Sequence, residues 1–268
     1  MELETLFKTP NPVLGVVHLL PLPTSARWQG SLSTVVERAV QEAVALASGG
    51  ANGIIVENFF DAPFTKGNVD PAVVSAMTVV VTHLRQLITL PIGLNVLRND
   101  ARSGLAIAAC TGAEFIRVNV LNGVMATDQG LIEGDAHGLM RYRRELGADV
   151  KVLADVLVKH AAPVGTLTSD TSLADAVADT IHRGLADAVI VSGIATGQPP
   201  SVQDLVQAKT MAGATPVFIG SGATIDNIDK LMQSADGVIV SSSLKRWGKI
   251  EHPIDPNRVR QFVDAIAS

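Results

Sequence analysis

Eight short aliphatic runs, at 13–19, 53–58, 92–97, 115–120, 150–158, 188–193, 217–222 and 237–241, recur along the chain with longer segments between them. Strands buried on both faces are apolar on successive residues, and parallel neighbours need long crossovers because no tight turn can join them. The segments 35–47, 73–87, 136–146, 173–183, 202–211 and 256–267 carry their apolar residues on one helical face, as such crossovers require. About eight strand-helix units close a cylinder, so the expected class is α/β and the expected fold a (β/α)8 barrel. A length of 268 residues fits one such domain over 1–268. An open doubly wound sheet would place a Gly-x-Gly-x-x-Gly turn after its first strand, whereas LPLPTSARWQG follows here.

A junction repeats four times: GGANGIIV, TGAEFIRV, RGLADAVIV and SADGVIV each run from a helix end through small, acidic or amide residues into a strand. Glycine permits the left-handed helix stop, and the acid or amide suits the turn. In a closed barrel the first and last strands are neighbours, so Trp28 and Trp247, in the loops after them, are candidates either to meet or to act as separate local anchors.

Composition narrows the partners. A net charge of -5 supplies no basic field for nucleic acid, and none is expected to bind. The first apolar run is interrupted by His18 and Pro21, so neither a secretory leader nor a membrane-spanning helix is expected. The single cysteine, Cys110, follows a run of small apolar residues and is expected to be a buried core thiol in a reducing compartment. Self-association through apolar helix surfaces is an open expectation, as is contact with a membrane surface.

Barrel chemistry belongs to the C-terminal ends of the strands. His18 closes the first run, Glu57 and Asn58 the second, Asn95 the third and Asn119 the fourth; Asp155 is late in the fifth. Arg117 stands two residues before Asn119 and so shares its face, and Lys159 follows Asp155 by four in the same alternation. Buried charges must be neutralised, so Glu57 and Asp155 need Arg117, Lys159, a metal or a ligand nearby. His18, Glu57, Asp155 and Lys159 are the candidates for proton transfer or covalent chemistry. Lys159 reads more readily as an anion-binding or paired residue, and His160 as a hydrogen-bonding loop residue. A closed salt-bridge network at the mouth is the structural alternative. A divalent ion on His18, Glu57 and Asp155 is conceivable, but no tight ligand spacing predicts a metal, and no motif indicates an organic cofactor.

The seventh and eighth runs end in GSGAT and SSSLKRWG. Loops in these places often offer backbone amides to a phosphate, which makes Gly222, Ser242 and Ser243 candidate phosphate contacts ahead of a helical stretch at 224–233. Asn95, Arg117 and Asn119 are candidate ligand contacts. The long NGVMATDQGLIEG loop at 122–134 is a candidate lid whose Asp128 is either a ligand group or a turn former. FFDAPFTKGN, at 59–68, gathers three phenylalanines that are expected to line the mouth or a contact surface.

The strings GVVHLLPLP at 15–23, DAPFTK at 61–66 and RVNVLNGVMATDQGLIEG at 117–134, with ADVLVKHAAP and SSSLKRWG, closely resemble the BtpA family over nearly the whole chain. The resemblance implies a barrel related to phosphate-binding barrels. For cyanobacterial members it implies a role in stable photosystem I accumulation, as extrinsic proteins on the cytoplasmic face of the thylakoid with photosystem I assembly components as partners. It carries no settled catalytic residues. Two functions stay open: a biogenesis factor holding a small anionic ligand, and an isomerase, lyase or aldolase acting on a phosphorylated metabolite.

Overall fold

The structure, a computed structural model, describes residues 1–158, 160–164, 172–193 and 197–267. Eight parallel strands close a barrel: β1 (Val13–His18), β2 (Gly53–Glu57), β3 (Ile92–Asn95), β4 (Phe115–Val118), β7 (Lys151–Val156), β9 (Ala188–Val191), β10 (Val217–Ile219) and β11 (Gly237–Val240). Closure is made by β1 against β11, with Val13 opposite Val238 and Leu14 opposite Ile239. Each expected run contains its strand. Every strand stops one to three residues short, because the rim residues leave the ladder to start loops.

The helices α2 (Leu32–Ser48), α3 (Pro71–Leu87), α5 (Ala136–Glu145), α6 (Leu173–His182), α7 (Val202–Ala212) and α9 (Pro256–Ala267) match the six expected. Two more were not anticipated, α1 (Leu3–Phe7) and α4 (Ala101–Thr111), while α8 (Ile228–Met232) falls within the helical stretch expected at 224–233. The buried face of α4 is Gly104, Leu105, Ile107 and Ala108. Cys110 falls on its outer side and is exposed, which corrects the expectation of a core thiol.

Two cores follow from the pleat. Outward strand residues such as Val17, Val56, Leu94 and Val240 pack under the helices. Inward residues Leu14, Val16, Ile55, Phe115, Leu153, Ala188, Ile190, Phe218 and Ile239 fill the cylinder, and Phe7 of α1 plugs its floor. The Phe7 ring meets Phe115 edge-on at 5.6 Å and Phe218 at 6.4 Å. Gly93 gives Phe115 its room, since a Cβ there would come within 2.1 Å of the ring.

The 122–134 segment is not a lone lid. It forms a hairpin, β5 (Val124–Thr127) and β6 (Gly130–Glu133), and β5 also pairs with β8 (Ala161–Pro163). Val120, Met125, Ile132 and Val158 make its small core. A three-stranded sheet with its own apolar centre is held far more firmly than a glycine-hinged loop.

The repeated junction has a function beyond turning. Its acid or amide accepts the backbone N–H of a residue at the start of the neighbouring strand: Asn52 from Val13 at 2.9 Å, Glu114 from Ile92, Asp187 from Val152 and Asp236 from Val217, each at 2.8 Å. The same four residues donate their own N–H to the carbonyl of that partner. Each pair of strands β1–β2, β3–β4, β7–β9 and β10–β11 is thus clamped at its N-terminal end. Arg85, Arg143 and Lys209 reach across to neutralise Glu114, Asp187 and Asp236.

Glu114→Ala and Asp236→Ala each leave a strand N–H without its acceptor, and each is expected to lower stability by about 1–3 kcal/mol. The two clamps share no partner, so urea denaturation of the double variant is expected to show the sum to within about 0.5 kcal/mol. A near-zero loss in both single variants would reduce the clamps to turn formers.

Candidate functional site

Period-2 alternation carries the inward face from the apolar floor to a polar rim. On β2, Ile55 is followed by Glu57; on β4, Phe115 by Arg117 and then Asn119; on β7, Leu153 by Asp155. His18, Glu57, Asn95, Arg117, Asn119 and Asp155 are all buried, at 2–6% exposure, in one cluster at the C-terminal mouth. The six sequence-based candidates, from the ends of five strands, therefore meet.

Arg117 is the centre. Its Nε and Nη2 grip Asp155 at 3.0 and 2.9 Å as a bidentate pair, and Nη1 reaches Glu57 Oε1 at 3.4 Å. Burial opposes its charge, but Asp155 and Glu57 outweigh that effect and hold the guanidinium above its ordinary pKa. Asn119 Nδ2 donates to Asp155 Oδ2 at 2.7 Å, and Asn95 Nδ2 donates to Glu57 Oε1 at 3.0 Å.

The two carboxylates end up in different states. Both oxygens of Asp155 are held by donors, so it orients Arg117 and has little freedom to react. Glu57 keeps Oε2, which stands 3.7 Å from His18 Nε2. His18 in turn lies 3.4 Å from Ser241 Oγ through Nδ1 and stacks on Phe59 at 4.2 Å. Phe60 meets the edge of the His18 ring, so the phenylalanine-rich segment does line this side of the mouth.

Other candidates are placed elsewhere. Asp128 is exposed at the turn of the β5–β6 hairpin, where its carboxylate accepts from Gln129 Nε2; it touches the cluster only through its field on Arg98. Asn58 turns away from the mouth and ties loops together, accepting from Leu97 N at 2.7 Å and donating to Asp61 at 3.0 Å. Desolvation raises the Asp61 carboxyl above its ordinary range, against the hydrogen bond from Leu22 N. Lys159 lies outside the described residues. Leu157 has a φ of +48°, so the regular alternation that linked Lys159 to Asp155 ends before it. His160 is exposed with a φ of +57°. Among the described residues no three His, Cys, Asp or Glu side chains form a group able to hold a metal. Trp28 packs partly buried against the outer core, whereas Trp247 is 74% exposed and meets His252; the two indoles form separate contacts.

The loops after β10 and β11 lie beside this cluster. Gly222 has a φ of +73°, and a Cβ there would come within 2.1 Å of Pro199 N, so close backbone packing already demands glycine. Ser243 Oγ donates to Ala223 O at 2.8 Å and joins the two loops, while Ser221 Oγ donates to Gln198 O at 3.1 Å. Thr224 N is capped by Asn227, and regular helix covers only Ile228–Met232 rather than the whole of 224–233. No hydrogen bond among the described residues uses the N–H groups of Ser221, Gly222, Ala223, Ser242 or Ser243. Such a set of amides is able to receive an anion.

Lys245 fixes the eighth loop from behind. It is fully buried, and its ammonium donates to both oxygens of Glu42 on α2 at 2.8 Å, with Arg38 on the same carboxylate. Burial pulls the Lys245 pKa below the lysine range, partly offset by Glu42. Nothing in the sequence distinguished this lysine from a surface one. Ser192 and Ser241 were missed for the same reason: serine is common in loops, and only the alternation of the strands they follow turns them toward the mouth.

Two cavities flank the cluster without containing Glu57, Arg117 or Asp155. One of about 400 Å³ lies between the hairpin and α4, and one of about 490 Å³ lies under the phenylalanine-rich loop beside Asn58 and Asp61.

These features define a closed (β/α)8 barrel with a salt-bridged polar cluster at its C-terminal mouth. The chain belongs to the BtpA family, whose sequence pattern it matches over residues 9–268. It is 66% identical over 267 residues to the photosystem I biogenesis protein BtpA of Synechocystis, covering 100% of this chain and 92% of that protein. It is 46% identical over 254 residues to an uncharacterized protein of Thermococcus kodakarensis, covering 95% and 94%. Among solved structures, N-(5'-phosphoribosyl)anthranilate isomerase from Pyrococcus furiosus superposes with a TM-score of 0.58 at 15% identity, covering 96% and 98%. At that identity the likeness concerns the fold alone.

Arg117→Met strands two buried carboxylates and is expected to cost about 3–5 kcal/mol in urea denaturation, much of it recovered in Arg117→Met/Asp155→Leu. A loss confined to the range of surface substitutions would show that the pair is not a buried network. Glu42→Gln tests the eighth loop through pH. A lysine whose folded pKa lies below its unfolded value leaves the unfolded chain holding more protons between those two values, so stability rises with pH across that window. The variant is expected to be less stable than the parent by about 3 kcal/mol at neutral pH. Its deficit is expected to shrink as pH rises toward the ordinary lysine range; a deficit independent of pH would assign the loss to packing.

Proposed function

We propose that this chain is a photosystem I biogenesis factor, peripheral on the cytoplasmic face of the thylakoid membrane, whose barrel mouth binds a small anionic or phosphorylated ligand. The observation that carries the proposal is the 66% identity, across the whole chain, with the Synechocystis protein of that name. Among the described residues no helix is long and apolar enough to cross a membrane, which suits an extrinsic protein. The loop amides of Ser221, Gly222, Ala223, Ser242 and Ser243, which make no hydrogen bond among the described residues, support an anion at the mouth.

A second reading is favoured by the unequal carboxylates. Glu57, with one oxygen uncommitted beside His18, is suited to take a proton from a carbon next to a carbonyl, while Arg117 stabilises the anion that forms. Asp155 then acts as a positioning residue for Arg117.

Complementation separates the readings. In a Synechocystis strain lacking its own BtpA, the wild-type chain is expected to restore photosystem I, measured as P700 per cell. Failure at a normal protein level would sink the biogenesis role. Glu57→Gln, if it accumulates normally, is expected to restore P700 fully when only assembly contacts matter and to fail when proton transfer at the mouth is needed.

A further inference from the structure

Among the described residues, Asn119 Oδ1 and Ser192 Oγ are enclosed and make no hydrogen bond. Asn119 is 5% exposed. Its orientation is set by chemistry, because Asp155 Oδ2, an acceptor, lies 2.7 Å from Nδ2; turning the amide over would oppose two oxygens. Oδ1 therefore faces away from Asp155. Ser192 lies two residues beyond Ile190, an interior residue of β9, and so continues the inward face. A Cβ at Gly220 would come within 2.3 Å of Ser192 Oγ, so this hydroxyl occupies the space β10 leaves open.

Register relates the two. Val118 pairs with Ala154, and Asp155 pairs with Ile190, across the consecutive strands β4, β7 and β9. Asn119 consequently follows next to Asp155 on one side, and Ser192 lies two residues beyond Ile190, the partner of Asp155 on the other, on the side of the loops after β10 and β11. Enclosed polar atoms without partners are rare in folded proteins and are relieved when a ligand completes the set.

We infer that Asn119 Oδ1 and Ser192 Oγ form a hydroxyl-reading subsite and that the ligand is a polyhydroxylated phosphate ester, of the sugar-phosphate class. Its phosphate rests on the loop amides near Gly222 and Ser242, and neighbouring hydroxyls reach Ser192 and then Asn119. Asn119 Oδ1 only accepts and Ser192 Oγ both donates and accepts, which matches a run of hydroxyls; an ammonium would stand next to the Arg117 guanidinium. The inference rests on the anion site proposed above and specifies what else the ligand carries.

Isothermal titration of the full chain with glycerol 3-phosphate and propyl phosphate tests it, since the two esters share a carbon chain and a phosphate and differ by two hydroxyls. Glycerol 3-phosphate is expected to bind about tenfold more tightly. Asn119→Leu and Ser192→Ala are each expected to remove most of that preference, and Ser192→Ala is expected to leave propyl phosphate affinity as in wild type. Ser192→Ala deletes no hydrogen bond of the unliganded protein, so its melting temperature is expected to match wild type, and it decides the matter if Asn119→Leu misfolds. Equal affinity for the two esters, or an undiminished preference in Ser192→Ala, overturns the inference while leaving the anion site standing. Failure of both esters to bind overturns the anion site and this inference together.

Discussion

Closure of the cylinder by β1 against β11 is the constraint from which the other features follow. Once the sheet has no edge, every inward side chain is cut off from water by a ring of neighbours and must either pack or find a partner. The lower layers solve this with aliphatic residues, three phenylalanines and the glycines that make room for them. The upper layer carries charge, and a single guanidinium bridging Asp155 and Glu57 is what makes that tolerable. A buried network of this kind adds little net stability over apolar packing.

The floor of the barrel has its own device. Four residues spelled into the helix-strand junctions each hold both backbone groups of a neighbouring strand residue, and the clamps fall on alternate strand pairs around the barrel. This places rigidity at the end opposite the polar cluster, leaving loop variation to the mouth, in keeping with the division of labour in such barrels. Lys245 and Glu42 extend the same logic to the eighth loop, where an enclosed ion pair anchors the segment that carries Ser242 and Ser243.

The two carboxylates at the mouth are held unequally. Asp155 and Glu57 look equivalent in sequence, yet hydrogen bonds hold both oxygens of one and leave an oxygen of the other beside a histidine stacked on Phe59. The hairpin next to them is braced by β8 and its own small core, which favours a fixed wall over a moving lid.

The chain's local patterns determined the barrel, because successive apolar residues, helical period and glycine-acid junctions are properties of neighbours in sequence. They also marked His18, Glu57, Asn95, Arg117, Asn119 and Asp155, since strand ends and period-2 faces can be read from spacing. Local pattern did not determine pairing. That Arg117 takes Asp155 in a bidentate grip, that Asn58 turns outward one residue after Glu57, and that Lys245 is enclosed depend on which strands and helices become neighbours. Cys110 is exposed because α4 presents its other side to the sheet, a matter of helix rotation to which the small residues around it are indifferent. Side-chain direction at a rim and the choice of charge partner are settled by contacts between residues tens of positions apart, which is why only the tertiary structure decided them.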